Sequence, residues 1–284
     1  MSATPPASPK DEVDVFGLTH AGRVRETNED HFVVASTRMS VRIRSSSLDV
    51  ADIGDRLGGS EALLLAIADG VGGRAGGEVA SSTAVETLLQ YIGSASGCFQ
   101  RFDVAEEAAF LAHMESAIRA AHEMIVRDHG DAQTSPATTL TVAMLVAPRA
   151  YIIHVGDSRA YCLRGNRLSQ ITRDQTLGAY MVDVGAWTDT QAARIPAARA
   201  LASAIGSADL TPAIGLIDLD PGDSLLLCSD GLTRHVSDAS LAEVLGRAVS
   251  AEGACSELLS LALDGGGSDN VTVVVARLGG VASS

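Results

Sequence analysis

Four acidic turns punctuate this chain, each attached to an apolar run: LLLAIADG ends at 70, IIHVGDS at 158 and LLLCSDG at 231, while GGSDN at 266–270 opens onto VTVVVAR. Short apolar runs bounded by turn residues read as buried strands, so Asp69, Asp157, Asp230 and Asp269 each stand where a strand meets a turn. Carboxylates gathered at strand ends can hold a cation. Mg²⁺ and Mn²⁺ take oxygen ligands, and an Asp cluster without Cys or His suits them better than zinc.

The elements that must position these carboxylates follow from periodicity. Strands are expected over 13–19 and 31–36, flanking a loop with Arg23, Arg25, Asn28, Glu29 and Asp30. The stretch 39–60 is polar and irregular, a loop insertion or a ragged hairpin, and is followed by a strand over 62–68 and a glycine-dense turn. Ala80, Ala84, Leu88 and Ile92 recur every four residues, the mark of a helix with one buried stripe. A second helix over about 103–128 carries Leu111, Met114, Ile118, Ala121 and Ile125 on one face, with Asp103 and Glu106 as a capping-box-like start and Gly130 as its stop. Strands over 139–146 and 151–155 come next, then 160–163 and 168–171 around the hairpin signal Gly165-Asn166. From 172 to about 207 the chain is polar and helical; Gly185 ends one short helix, and Thr188 with Gln191 caps another. Strands over 224–228 and 271–277 enclose helices near 238–249 and 255–263. Strands in runs and helices in pairs favour antiparallel sheets covered by helices over a βαβ repeat.

Length and composition bound the function. With 284 residues, 46% of them hydrophobic and 4% aromatic, the chain can build a large core of Ala, Val, Leu and Ile. A formal charge of −14 repels nucleic acid and anionic membranes and favours cationic ligands. No apolar run approaches the ~20 residues of a membrane span, and the opening MSATPPASPKDEVD lacks the pattern of a signal peptide, so a cytoplasmic location is expected; the oligomeric state is left open, with a monomer favoured. Residues 1–12 read as a disordered tail, 13–278 as the domain and 279–284 as a C-terminal tail. Cys98, Cys162, Cys228 and Cys255 show no metal or redox spacing and read as reduced thiols.

Lys10 is the only lysine, which removes the P-loop, Schiff-base chemistry and phosphatases that use a lysine beside an aspartyl nucleophile. Asp218-Leu219-Asp220 offers such a nucleophile, but Pro221-Gly222-Asp223 after it makes the segment a turn entering a strand. Gly70 to Ala75 fits the dinucleotide fingerprint, with Glu86 where a ribose ligand would stand. There, Asp69 would set a carboxylate against the pyrophosphate, and the other acidic turns would have no role.

Taken in order, GRVRETNED (22–30), ADGVGGRAGGEVAS (68–81), TTLTVAML (138–145), VGDSRAY (155–161), ITRDQTL (171–177), LCSDGL (227–232) and GGSDNVTVV (266–274) resemble the bacterial metal-dependent serine/threonine protein phosphatases of type 2C. The resemblance implies an α+β fold, a four-layer α-β-β-α sandwich of two antiparallel sheets flanked by helices. It implies two Mn²⁺ or Mg²⁺ ions. Asp69 would bridge them with the Gly70 carbonyl as a further ligand, Asp230 and Asp269 would complete the first, and Glu29 and Asp30 would hold the second directly or through water. Asp157 would share a third, weaker ion with Asp230. Arg25 resembles the phosphate-binding arginine, and Arg25, Asp69 and Asp230 carry the catalytic expectation. The implied reaction is hydrolysis of phosphoserine or phosphothreonine by a metal-activated water at the binuclear centre, opposing Ser/Thr kinases, with phosphorylated proteins as partners. Residues 175–199, with Trp187, correspond to a flap beside the metals. The alternative is a catalytically weak, phosphatase-like module that binds phosphorylated partners.

Neighbouring residues read as structural: Asn270 shapes a turn or orients a ligand, Arg159 pairs with acidic groups, and His154 belongs to the core. Four positions depart from common family patterns. His20 replaces an acidic residue and Gln175 a histidine, while Val71 and Arg74 leave no obvious histidine to protonate the departing alkoxide.

Overall fold

The central strands are apolar along their whole length because each is covered on both faces, an arrangement that erases the period-two pattern of a half-exposed strand. A computed structural model describes residues 13–40, 58–71, 76–94, 104–129 and 135–279. One sheet joins β1 (Val13–His20), β11 (Val271–Leu278), β10 (Ser224–Cys228), β7 (Arg159–Arg164) and β8 (Arg167–Gln170), in that spatial order. The other joins β2 (Asp30–Ser40), β3 (Gly58–Val71), β5 (Leu140–Val146), β6 (Arg149–Val155) and β9 (Ala213–Asp218), with the short β4 (Ala137–Thr138) on the end of β3. Every pairing is antiparallel.

Alternation within the apolar runs divides the interior into three layers. Leu64, Ala66 and Ala68 of β3 face helices α1 (Gly76–Ser94) and α2 (Val104–His129), where Ala80, Ala84, Leu88, Met114, Ile118 and Ile125 meet them. Leu65 and Ile67 face the opposite way and pack with Leu225, Leu227, Val274 and Ala276 between the sheets. On the far side, Leu226, Cys228, Val273 and Val275 meet Leu241, Leu245, Leu258 and Ala262 of helices α6 (Asp238–Arg247) and α7 (Ala251–Asp264). The result is the α-β-β-α sandwich expected from the sequence.

Several expectations are corrected. β9 was not foreseen: it is an edge strand with Ile214 and Leu216 exposed, so it lacks the dense apolar run of a buried strand. β2 and β3 run beyond 31–36 and 62–68, to Ser40 and from Gly58, which pair; of the segment 39–60, residues 41–57 lie outside the described residues. Phe110, stacked edge-on against Tyr151 at 5.2 Å, is an unforeseen member of the buried face of α2, on which Leu111 packs only partly buried. The single turn α5 (Asp230–Thr233) was also missed. Asp103, Gly130, Cys98 and both proposed tails, apart from Gly279, lie outside the described residues.

Other details match. Thr188 and Gln191 form a reciprocal capping box on α4 (Asp189–Ala192), and Gly185, at φ 72°, follows α3 (Leu177–Asp183). Asp218 ends β9, and the Asp223 carboxylate accepts from Asp220 N and from Arg164, so the apparent nucleophile is a turn. Cys162, Cys228 and Cys255 are buried free thiols, held above their ordinary pKa by burial.

Leu227 is fully buried between the sheets. Leu227→Ala should cost about 2–5 kcal/mol of stability in urea unfolding. A loss under ~1 kcal/mol would mean that the inter-sheet layer is loosely packed.

Candidate functional site

Antiparallel pairing brings the acidic turns to one end of the sandwich. Asp30, the first residue of β2, lies opposite Asp69 near the end of β3, and His20, the last residue of β1, lies opposite Val271 at the start of β11. The loop between β1 and β2 therefore sits against the Asp269-Asn270 turn. Asn270 fixes it there: its Oδ1 accepts from Glu29 N at 2.9 Å, and its Nδ2 donates to Ala21 O at 3.0 Å and Thr27 O at 2.8 Å. Two glycines make this closeness possible. A Cβ on Gly22, at φ 82°, would lie 2.2 Å from the Asp269 carbonyl oxygen, and one on Gly231 would lie 1.9 Å from that of Asn270.

Asp69 is held through its backbone. Its N–H donates to Thr139 Oγ1 at 3.0 Å, and its carbonyl accepts from Thr139 N and Thr138 Oγ1, both at 2.9 Å. Thr139 in turn bonds Ser158 Oγ at 2.8 Å, which ties the Asp69 turn to the Asp157 turn. One cleft is then lined by Glu29, Asp69, Gly70, Asp157, Asp230 and Asp269, with Arg25, Arg199 and Arg234 facing them. Its volume of about 210 Å³ suits ions and a phosphate group better than a drug-sized ligand. Asp30 lies beneath the cleft, buried, its Oδ2 accepting from Ser229 Oγ at 2.8 Å and Thr272 Oγ1 at 2.7 Å. These two bonds join β2 of one sheet to the β10 and β11 ends of the other.

Burial dominates the electrostatics. It raises the pKa of Asp69 well above the ordinary carboxylate range, and the charges of Asp30, Asp230, Asp157 and Asp269 push in the same direction. Asp30 rises to about 6, chiefly from burial, against the pull of its Thr272 and Ser229 bonds. Asp157 rises to about 7 from burial and then from Asp230 and Asp174. Asp230 rises through burial while Arg234 opposes the shift, and Glu29 rises through burial.

Two guanidinium groups meet the remaining charge. Arg25 takes Asp269 with Nε at 2.8 Å and Nη2 at 3.0 Å. Arg234 donates from Nη1 to the same carboxylate at 2.6 Å and from Nη2 to Asp230. Arg234 was not singled out from the sequence, although its place four residues after Asp230 on a helical turn was a readable signal. Thr138, Thr139, Ser229 and Thr272 were also missed, because short hydroxyl residues beside a strand carry no distinctive spacing.

Structural assignments outside the cleft hold. His154 bonds Thr141 Oγ1 at 2.9 Å and the Arg173 carbonyl at 3.1 Å within the core, where burial lowers its pKa. Arg159 grips Asp174 bidentately at 2.8 and 2.7 Å. Gln175 Oε1 accepts from Gly156 N at 3.0 Å, and His20 Nδ1 accepts from Gly22 N at 2.9 Å. Val71 lines the cleft mouth, and Arg74 lies outside the described residues.

The donor set fits hard divalent cations: carboxylate oxygens and a backbone carbonyl, without sulfur. With Asp30 and Asp69 both ionised, buried Asp30 Oδ1 has no hydrogen-bond donor, as suits an oxygen turned toward a cation or its water. Among the described residues, however, no three acidic, histidine or cysteine side chains are disposed to chelate an ion as they now stand. Arg25 and Arg234 hold both oxygens of Asp269 and one of Asp230.

Comparison with known proteins is consistent with this arrangement. The family model described as protein phosphatase 2C matches residues 44–264. The serine/threonine protein phosphatase PstP of Mycobacterium tuberculosis is 38% identical over 220 residues, covering 76% of this chain. This chain spans only 40% of that relative's length. The protein phosphatase PhpP of Streptococcus pneumoniae is 30% identical over 217 residues, 76% of this chain and 85% of its own. Among solved structures, the PstP catalytic domain in complex with two manganese ions superposes with a TM-score of 0.72 at 32% identity, covering 94% of this chain and 98% of that one.

Asp157 binds its proton more tightly folded than unfolded. It therefore favours the folded, metal-free protein at low pH, and this contribution is lost as pH rises through about 7. In metal-free buffer, the Tm of Asp157→Asn minus that of the wild type should grow from about pH 5 to about pH 8. A difference that stays flat across this range would mean that Asp157 is well solvated.

Proposed function

This chain belongs to the protein phosphatase 2C family, and on that premise we propose that it hydrolyses phosphoserine and phosphothreonine esters in proteins with the help of divalent cations, Mn²⁺ or Mg²⁺. The observation that supports this reading best is the convergence of Glu29, Asp69, Gly70, Asp157, Asp230 and Asp269 on one cleft. Asp69 would serve both ions, with the Gly70 carbonyl as a further ligand; Asp230 and Asp269 would complete one of them, and Glu29 with the buried Asp30 would hold the other directly or through water. Asp157 would serve a third. When bound, such ions neutralise phosphoryl oxygens and make water a better nucleophile near neutral pH.

The protein's own groups have separate tasks. Ser229 and Thr272 keep Asp30 oriented and ionisable beneath the cleft. Thr138 and Thr139 fix the Asp69 turn so that its carboxylate need not reorganise during the reaction. Arg25 is about half exposed at the lip; with Nε and Nη2 on Asp269, its Nη1 edge is left for a phosphate oxygen. No histidine lines the cleft among the described residues, so the departing alkoxide takes its proton from water. The segment 175–199 contributes Arg199 to the cleft wall and would contact the polypeptide on either side of the phosphorylated residue. Among the described residues no helix is long and apolar enough to cross a membrane, which is compatible with substrates met in solution. Its action would oppose Ser/Thr kinases.

Turnover of p-nitrophenyl phosphate should require added Mn²⁺ or Mg²⁺, vanish in EDTA, and fall by a factor of about 100 or more in Asp69→Asn, the size expected when a principal charge-stabilising group is lost. Full activity in metal-stripped buffer would overturn the reading. Phosphopeptide binding without any turnover would favour the binding-module alternative.

Two variants separate phosphate from polypeptide recognition. Arg25→Ala should raise KM for p-nitrophenyl phosphate and for a phosphopeptide alike, by the equivalent of about 1.5–3 kcal/mol. Replacing 177–197 with a Gly/Ser linker should depress kcat/KM on the phosphopeptide far more than on the small ester, because only the larger substrate uses remote binding energy. Equal losses on both substrates would make the segment a structural cover.

A further inference from the structure

Arg234 is placed unlike the other arginines of the cleft. Arg25 approaches Asp269 from the exposed lip with a side chain 47% exposed, whereas Arg234 is 30% exposed and spans two carboxylates that come from different elements. Its Nη1 donates to Asp269 Oδ2 at 2.6 Å, and its Nη2 donates to Asp230. Asp230 begins α5 and Asp269 precedes β11, so the guanidinium closes the gap between them as a cation would. The i to i+4 spacing on a helical turn fixes this reach: an Arg one turn after Asp230 necessarily lies over it. Arg25 also meets both oxygens of Asp269, so three of the four oxygens of Asp230 and Asp269 are engaged by arginine.

We infer that Arg234 is a built-in counter-cation of the metal-free protein, a positioning residue that holds Asp230 and Asp269 at ligand spacing and must be displaced before a divalent ion can take both. The inference rests on the metal-dependent reading above. An arginine cannot yield its place by losing a proton, because its guanidinium stays charged throughout the working pH range. The ion must break the charge-assisted bonds instead, and that cost appears as weaker metal binding. In return, the metal-free chain avoids two uncompensated neighbouring carboxylates and keeps the acidic end of the sandwich folded. The freed side chain then lies where the cleft adjoins a second hollow under the 175–199 segment, a hollow lined by Asp157, Arg159, Thr176, Arg199 and Arg234.

The test compares the full-length wild type with Arg234→Gln and Arg234→Lys, each stripped with EDTA and desalted, by calorimetric titration with MnCl2 and by thermal unfolding. Arg234→Gln should bind Mn²⁺ about tenfold more tightly or better, the equivalent of about 1.4 kcal/mol. It should also melt lower than the wild type without metal and within a degree or so of it when saturated, so that its metal-induced rise in Tm is larger. Arg234→Lys, which keeps the charge but not the fork, should fall between the two in affinity. Equal or weaker Mn²⁺ binding by Arg234→Gln, beside normal binding by the wild type, would overturn this inference alone. Absence of Mn²⁺ binding by the wild type and both variants would overturn the metal-dependent reading and this inference with it. If Arg234→Gln does not fold without metal, Arg234→Lys decides: unchanged affinity would overturn the inference, and tighter binding would support it.

Discussion

Repulsion among carboxylates gathered at one end of the sandwich is the constraint on which the rest of the site depends. Asp30, Asp69, Asp157 and Asp230 all have raised pKa values for the same reason, burial among like charges. Such a cluster persists only if cations, protons or hydrogen-bond donors meet it. The chain supplies donors at the base, where Ser229 and Thr272 bond Asp30, and guanidinium groups at the mouth, where Arg25 and Arg234 bond Asp269 and Asp230. Its strongly negative formal charge of −14 is in keeping with a site that draws in further cations.

The same bonds connect the two sheets. Asp30 belongs to one sheet and Thr272 to the other, so the carboxylate beneath the cleft is also a cross-sheet tie. The 175–199 segment is tied in as well. At its base, Leu177 N donates to Ala200 O and Ala202 N to Gln175 O, both at 2.8 Å, which forms a neck. Gln175 then bonds Gly156 through both its backbone N–H and its side chain, next to Asp157.

Most of this architecture was legible in the sequence because its strongest signals are local. Buried strands between two covering layers are continuous apolar runs, and the turns at Asp157, Asp230 and Asp269 mark where strands begin or end, whereas β3 runs on through Asp69 to Val71. Helix α1 declared itself through Ala80, Ala84, Leu88 and Ile92, all buried as expected. What escaped was set by long-range contacts. β9 is a strand through its pairing with β6 rather than through its own pattern. Asp30 and Glu29 are adjacent in the chain, yet one is buried under the cleft and the other lines it, a distinction fixed by β2 starting at Asp30 and pairing with Asp69. Arg234 was visible as a helical neighbour of Asp230, but its second bond, to Asp269, depends on α5 meeting the entry to β11. The abundance of arginine was readable from composition; the forks it makes with Asp174, Asp223, Asp230 and Asp269 were not.

The central claim, that this end of the sandwich exists to hold divalent cations, is tested most directly by anomalous diffraction at the manganese edge from crystals grown with MnCl2. The account predicts two strong peaks about 4 Å apart in the cleft, the usual spacing of a two-ion site, flanking the Asp69 carboxylate, with Arg234 withdrawn from Asp230 and Asp269. A cleft without manganese at saturating concentration, with both arginines still paired to the carboxylates, would contradict it.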